Sequence, residues 1–383
     1  MKKRVLLVFG TRPEAIKMAP VYFSLKKSED YIPIVCVTAQ HREMLDQVLA
    51  IFNIIPEYDL DLMTKGQTLA ELTSRLFLEF PKILNQLKPD MVLVHGDTST
   101  TMVAAVSCFY SNIPVGHVEA GLRTNNIYSP FPEEFNRQIV SKISTLHFAP
   151  TQLSAENLIA ENINNEKIFI TGNTVIDALF KVKSDLNSSP QELSRKIVDL
   201  NKTTGFDIDK EKYILITGHR RENFGEGIKN ICLAFQTLSQ KFQDIHFVYP
   251  VHLNPNIKGP VHELLKNQSN FHLIDPLGYE EFLLLMDKSY FVVTDSGGIQ
   301  EEAPSLGKPV ILMRDNTERQ EAVEAGTVLL SGTNHDSIVS SVSRLLEEEN
   351  FYSFMSQANN PFGDGTSSEK ILEALNSFFE TKI

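Results

Sequence analysis

Short apolar runs alternate with longer amphipathic segments along almost the whole chain. The runs at residues 5–9, 32–38, 91–94, 114–118, 146–149 and 167–171 are rich in Val, Ile, Leu and Phe. That is the composition of strands buried on both faces of a parallel sheet. Between them lie segments with helical spacing. The clearest is 67–87, where Leu69, Leu72, Leu76, Phe80, Ile83 and Leu87 recur every three or four residues. Further helices are predicted from Pro13, over 40–52, over 98–110 and from Glu133. The second half repeats the pattern, with strands at 213–217, 246–251, 272–274, 291–294, 310–313 and 328–330. Its helices are predicted over 222–240, 255–266, 279–286, 299–306 and 336–346. This alternation predicts an α/β fold with parallel sheets covered on both faces.

The polar stretch 185–209 separates the two halves, and the crossing itself is expected near Gly172. A glycine-rich break then precedes a last helix, for which Thr366 and Glu369 predict a capping box. That helix presents Ile371, Leu375 and Phe378 on one face, which suits docking on either domain.

Composition narrows the function classes. The 383 residues fit two domains at roughly 150 each. A net charge of −12 argues against phosphate backbones and anionic membranes as partners. Cys36, Cys108 and Cys232 are scattered, with neither a disulfide framework nor metal-ligand spacing. No apolar run is long enough to span a bilayer, and the start is too short for a signal peptide, so a cytoplasmic protein is expected. There is no G-x-G-x-x-G, no Walker A lysine and no G-x-S-x-G elbow, so no cofactor and no metal are expected.

The polar clusters fall where the predicted strands end, which is where parallel sheets bind ligands. Ser296, Gly297 and Gly298 form a small turn between a strand and a helix, leaving backbone N–H groups open to an anion. Glu302, one turn on, suits a ribose hydroxyl pair. Arg12 and Lys17 follow the first strand as candidate phosphate partners, although Lys17 equally fits a solvated face. Asp97 is a candidate that also suits the N-cap of the next helix. Glu119 interrupts an apolar strand end with no capping role, which points to function. Glu133 belongs to an acidic pair that suits a helix first turn. His219 is flanked by Arg220 and Arg221, and His252 has a similar setting. Arg319, after the 310–313 strand, is placed to reach an anion at the Ser296–Gly298 turn.

The runs FGTRPEAIKMAP, LVHGDTSTT, GHVEAGLRT, YSPFPEEFNRQ, ITGNTVIDAL, TGHRREN and TDSGGIQEEAPSLGKPV resemble those of bacterial non-hydrolysing UDP-N-acetylglucosamine 2-epimerases. The resemblance implies two Rossmann-like doubly wound domains facing across a cleft, the glycosyltransferase-B fold. It implies an N-terminal domain over 1–172, a UDP-holding domain over 173–365, and a C-terminal helix over 366–383 that joins the first. It implies interconversion of UDP-GlcNAc and UDP-ManNAc through loss and re-addition of UDP, with a 2-acetamidoglucal between. Asp97, Glu119, Glu133 and His219 match catalytic positions. Arg12, Lys17, Ser296, Gly297, Gly298, Glu302 and Arg319 match nucleotide contacts, and Phe282 a uracil-side contact. A small-molecule substrate and a homodimer are expected, with no nucleic-acid or membrane partner. Gln40, Glu43, Arg220 and His252 fall in an allosteric region, where Glu43 and Gly66 depart from the family pattern. A hydrolysing epimerase, a glycosyltransferase of the same fold and a non-catalytic nucleotide-sugar binder are the alternatives.

Overall fold

The computed structural model describes residues 2–38, 42–64 and 66–381. The chain forms two compact units, Met1–Ala178 with Phe362–Ile383, and Leu179–Pro361. Among the described residues the first unit holds a sheet of β1 (Lys3–Phe9), β2 (Tyr31–Val37), β3 (Tyr58–Asp59), β4 (Met91–His95), β5 (Val115–Val118), β6 (Leu146–Ala149) and β7 (Ile168–Ile170). The second holds β8 (Tyr213–Thr217), β9 (His246–Pro250), β10 (Phe271–Ile274), β11 (Phe291–Thr294), β12 (Val310–Leu312) and β13 (Val328–Leu330). Every pairing is parallel, as the continuous apolar runs require. β4 is buried from end to end, and so is β8.

The strand orders are β3-β2-β1-β4-β5-β6-β7 and β10-β9-β8-β11-β12-β13. Each sheet is therefore built outward from its middle on one side, then on the other. The reversal leaves a switch point between β1 and β4 and another between β8 and β11. Loops leaving the two strand ends part there to opposite faces, which opens a crevice at the carboxyl edge.

Several elements differ from those expected. β3 is two residues long and polar, too short to leave a periodic signal; it pairs Tyr58 with Cys36 at the sheet edge. The polar separator, for which no element was predicted, holds parts of two helices, Thr174–Asn187 and Pro190–Thr204. The second starts on a proline and ends at Gly205 in the left-handed region (φ 84°), the usual stop for a helix. A helix at Gln152–Ala160, capped by Thr151, was also missed. The helix expected from 222 begins at Glu226, because Gly225 (φ 78°) breaks the chain direction after a short turn at Arg221–Asn223.

The C-terminal helix, Ser367–Glu380, is not capped by Thr366. The Thr366 hydroxyl donates instead to Asp364 Oδ1 at 2.5 Å. The cap comes from Asp177, whose carboxylate accepts the N–H groups of Ser368 (2.7 Å) and Ser367 (3.2 Å). The helix packs on Arg12–Lys27 in the first unit and buries Ile371, Ala374, Leu375 and Phe379. Phe379 takes the place expected for Phe378. Gly172 (φ 88°) is required beside this cap, since a Cβ there would stand 2.6 Å from Ser367 Oγ.

Asp177→Ala should loosen the C-terminal helix by roughly 1–2 kcal/mol, the usual worth of an N-cap. Amide hydrogen exchange over Ser367–Glu380 should quicken by about tenfold, while Thr366→Ala leaves it nearly unchanged. A larger effect of Thr366→Ala than of Asp177→Ala would show that Thr366, not Asp177, holds the helix.

Candidate functional site

In the first unit the ends of β1, β4 and β5 converge. After β1 the chain enters Arg12–Lys27 through a capping box of Thr11 and Glu14. The buried Glu14 carboxylate accepts the N–H groups of Gly10 (3.1 Å) and Thr11 (2.8 Å) and the hydroxyl of Thr98 (2.8 Å). It thereby ties the end of β1 to the end of β4. Gly10 cannot be larger, because a Cβ would lie 2.1 Å from Thr38 Oγ1.

Glu119 follows β5 with φ 62°, a left-handed conformation uncommon outside glycine. Its side chain is 10% exposed. Oε2 forms an ion pair with Lys17 Nζ, accepts Asn173 Nδ2 at 2.8 Å and lies 3.6 Å from His95 Nε2. Burial alone would raise the Glu119 pKa. The Lys17 charge, then His95, outweigh it and hold the carboxyl well below the usual carboxylate range. All three partners sit on Oε2. Oε1 faces Gly96 (φ 67°), where even a Cβ would remain 3.8 Å away. Lys17 does not lie on a solvated face; it is buried and pairs with this carboxylate.

Asp97 is not a helix cap; Thr98 caps Ser99–Tyr110 through the N–H of Thr101 (3.2 Å). The Asp97 carboxylate pairs with Arg137 on the helix Glu133–Ile143, and its carbonyl accepts Asn136 Nδ2 at 2.8 Å. Arg137 also donates to Glu134 at 3.1 Å. Glu134 is fully buried and accepts the N–H groups of Thr124 (3.0 Å) and Asn125 (3.2 Å), so it fastens the loop before its own helix. Its neighbour Glu133 is half-buried and has no ion-pair partner among the described residues. Arg12 is likewise half-buried and unpaired among them.

In the second unit Asp295, just after β11, does the joining. It is 1% exposed and accepts the N–H groups of His219 (2.9 Å) and Arg220 (2.9 Å) and Asn223 Nδ2 (3.1 Å). The ends of β8 and β11 are thus bound together. His219 Nδ1 stands 3.6 Å from Asp295, and its ring stacks on His252 with centroids 5.7 Å apart. Burial is the main cause lowering the His219 pKa; Asp295 opposes it, and His252 and Arg220 add to it.

The Ser296–Gly298 turn opens the helix Ile299–Ser305. A Cβ on Gly297 would lie 2.8 Å from Arg319 Nη1, so the guanidinium lies directly against this turn. Arg319 is buried between Glu301 (Nε to Oε1, 2.6 Å) and Glu318 (Nη1 to Oε1, 2.6 Å). Burial opposes ionisation of Glu318, but Arg319 and then Arg314 pull its pKa down to about 2. Glu302 is buried and accepts the Tyr279 hydroxyl at 3.1 Å, and Phe282 is half-buried on the same helix, Tyr279–Lys288. Of the region around the other candidates, Gln40 lies outside the described residues. Glu43 is exposed, beside an Arg42 that pairs with Asp59 (2.6 Å) and Asp46 (3.1 Å). Gly66 is left-handed (φ 78°). Among the described residues no group of His, Cys, Asp or Glu could hold a metal ion, and no helix is long and apolar enough to cross a membrane.

Glu14, His95, Arg137, Asn173 and Asp295 are parts of these clusters that sequence reasoning did not single out. Their only signal was position beside the chosen residues at strand ends.

A family model described as UDP-N-acetylglucosamine 2-epimerase matches residues 24–376. The chain belongs to this family. It is 54% identical over 372 residues to the UDP-N-acetylglucosamine 2-epimerase of Escherichia coli strain K12, covering 97% of this chain and 98% of that one. It is similar to the crystal structure of UDP-GlcNAc 2-epimerase from Neisseria meningitidis bound to UDP-GlcNAc, with TM-score 0.89, 51% identity, and 98% and 100% of the two chains covered. It also resembles the Methanocaldococcus jannaschii UDP-GlcNAc 2-epimerase in complex with UDP-GlcNAc and UDP, with TM-score 0.81, 33% identity, and 98% and 99% covered. Like other epimerases of the family, the chain has two parallel-sheet α/β domains of the glycosyltransferase-B class.

Arg319→Ala removes the shared cation of two carboxylates, one of them 1% exposed, and breaking such a pair costs roughly 3–5 kcal/mol. Thermal unfolding of the second unit should move down accordingly. Because the Glu318 pKa is depressed from 4.5 to about 2, its contribution is present above 4.5 and lost as pH falls toward 2. Glu318→Gln should flatten the loss of stability over that window; an unchanged acid profile would show that Glu318 is not charged there.

Proposed function

We propose that this chain is an enzyme that interconverts UDP-GlcNAc and UDP-ManNAc by eliminating and re-adding UDP. A carboxylate removes the proton on carbon 2. The C–H electron pair becomes the double bond to carbon 1, and the bond from carbon 1 to the diphosphate oxygen breaks with its pair on UDP. The 2-acetamidoglucal stays bound. UDP oxygen then adds back to carbon 1 while carbon 2 takes a proton on its other face. The observation that carries this reading is Glu119, an ionised carboxylate on a left-handed backbone whose Oε1 faces a glycine.

Glu119 and Asp97 work at the reacting carbon, with Glu133 in support. Such proton transfers are each worth roughly 10²–10⁴ in rate. Lys17, placed among the nucleotide contacts by the family resemblance, acts here by keeping Glu119 ionised. His219 assists departure of the diphosphate. Arg12, the Ser296–Gly298 turn, Glu302, Arg319 and Phe282 hold the nucleotide; the N–H groups of a glycine turn backed by a guanidinium suit a diphosphate. In this reading the enzyme needs no cofactor, works in the cytoplasm as a homodimer, and supplies ManNAc-type precursors for cell-surface polysaccharide.

Incubating UDP-GlcNAc with the pure protein in D₂O and following it by NMR tests the proposal. UDP-ManNAc should appear with deuterium at carbon 2 and none at carbons 3 or 4. Glu119→Gln should slow the reaction by roughly 10²-fold or more and let UDP and the glucal leak out. Free ManNAc as the product would establish a hydrolysing enzyme instead, and label lost from carbon 4 would establish oxidation chemistry.

A further inference from the structure

We infer that His95 holds the proton that Glu119 takes from carbon 2, so that the two side chains work as one base. The inference rests on the reading of Glu119 proposed above and adds where the proton resides between the two half-reactions.

His95 is the last residue of β4 and is 4% exposed. Neither of its ring nitrogens has a hydrogen-bond partner among the described residues. A buried polar side chain left in that state costs free energy and calls for a reason. The two other buried histidines of this sheet, His117 and His147, leave only Nδ1 unpartnered. His117 Nε2 lies 2.7 Å from the carbonyl of Gly96. Burial keeps both imidazoles neutral, with pKa values of about 3 for His117 and about 4 for His147, so neither is suited to store a proton.

His95 Nε2 stands 3.6 Å from Glu119 Oε2, just beyond hydrogen-bond length, and catalytic hydrogen bonds commonly shorten when substrate binds. The two oxygens of Glu119 are thereby divided. Oε1 lies on the side of Gly96, while Oε2 faces Lys17, Asn173 and His95. Glu119 takes the proton on Oε1, and a half-turn of the carboxyl about its Cγ–Cδ bond brings that O–H to face His95.

The chemistry calls for such a partner. A carboxylate held strongly ionised by a buried ammonium is a weak base, and its protonated form sheds the proton readily. Asn173 donates to Oε2 through its amide N–H, and the Lys17 ammonium has no lone pair to offer. The neutral imidazole has a free lone pair. When Glu119 has taken the proton, its O–H donates to Nε2 and the proton moves across, leaving carboxylate and imidazolium. The charges facing the pair are Lys17, which disfavours the imidazolium, and Glu119, which favours it. Arg137 lies near enough to feel Glu119, and neutral His117 to feel His95. On return the proton retraces the path, or exchanges with solvent.

The test is the pH dependence of kcat and KM from about pH 5 to about pH 9 for the wild-type chain, His95→Gln and His95→Asn. A glutamine or asparagine amide can donate to Glu119 but cannot accept its proton. In the wild type, kcat should fall on the acid side, because the pair must start without its proton. In both variants kcat should drop on the order of 10²-fold and this acid limb should move to lower pH, with KM and UDP affinity by calorimetry nearly unchanged. A variant that keeps the wild-type kcat, or keeps the acid limb in place, overturns the inference. If neither variant folds, nitrogen-15 NMR of the histidine rings in the wild-type protein decides. Proton uptake by His95 across the acid limb supports the inference, and a His95 neutral throughout overturns it. A wild-type protein inactive on UDP-GlcNAc would defeat the functional reading itself, which this comparison keeps separate.

Discussion

A carboxylate kept charged in a nearly dry place governs the first unit. An ion without a partner at such depth costs several kcal/mol, so Glu119 requires a cation and donors around it. Lys17 supplies the charge from the first helix, and Asn173 supplies a neutral donor from the segment that leaves β7. Three separate stretches of chain must therefore arrive together before the site exists. The left-handed backbone of Glu119 adds strain of the kind that persists only where the surroundings over-determine it. Gly96, also left-handed, faces the second carboxylate oxygen, which would stand 3.8 Å from a Cβ there. The residues that make the charge tolerable all meet it at Oε2.

The second unit solves a related problem with the same winding. Asp295 is buried at the switch point between β11 and β8, and its charge is met by two backbone N–H groups and one amide. These bonds fix His219 and Arg220 in place without using their side chains. On the other side of the turn, Arg319 is held by Glu301 and Glu318, so its guanidinium stands rigidly against Gly297. A rigid cation beside a bare glycine turn loses little entropy when an anion arrives. In each unit a buried acid joins the central strand to the strand across the reversal, Glu14 in one and Asp295 in the other. The candidate site residues follow directly on that joint.

The periodic features were legible in the chain. Apolar runs predicted nearly all the strands, and the motifs at their ends marked the clusters now seen at the switch points. What escaped was whatever depends on contacts far apart in sequence. Thr366 has the spacing of a capping box with Glu369, yet Asp177 takes the cap from across the unit. Asp97 looks like a helix cap, yet its neighbour Thr98 fills that role and leaves Asp97 to Arg137. The pairing of Lys17 left no sign in the sequence because its partner, Glu119, follows four strands later in the chain. The pairing that sets the charge of the site is a property of the folded sheet and has no local signature. β3 and the helix Pro190–Thr204 were missed for a simpler reason, since one is too short and the other too polar to stand out from a loop.

The central claim is that the bond between the sugar and UDP breaks and re-forms each time carbon 2 inverts. It is tested most directly with UDP-GlcNAc carrying oxygen-18 between the anomeric carbon and the β-phosphorus. Phosphorus NMR during turnover reads the position of the label. If UDP departs to a glucal and returns, the label scrambles into the non-bridging β-phosphate positions at a rate comparable to epimerisation. If the label stays in the bridge while UDP-ManNAc accumulates, the bond never breaks, and the elimination account is wrong.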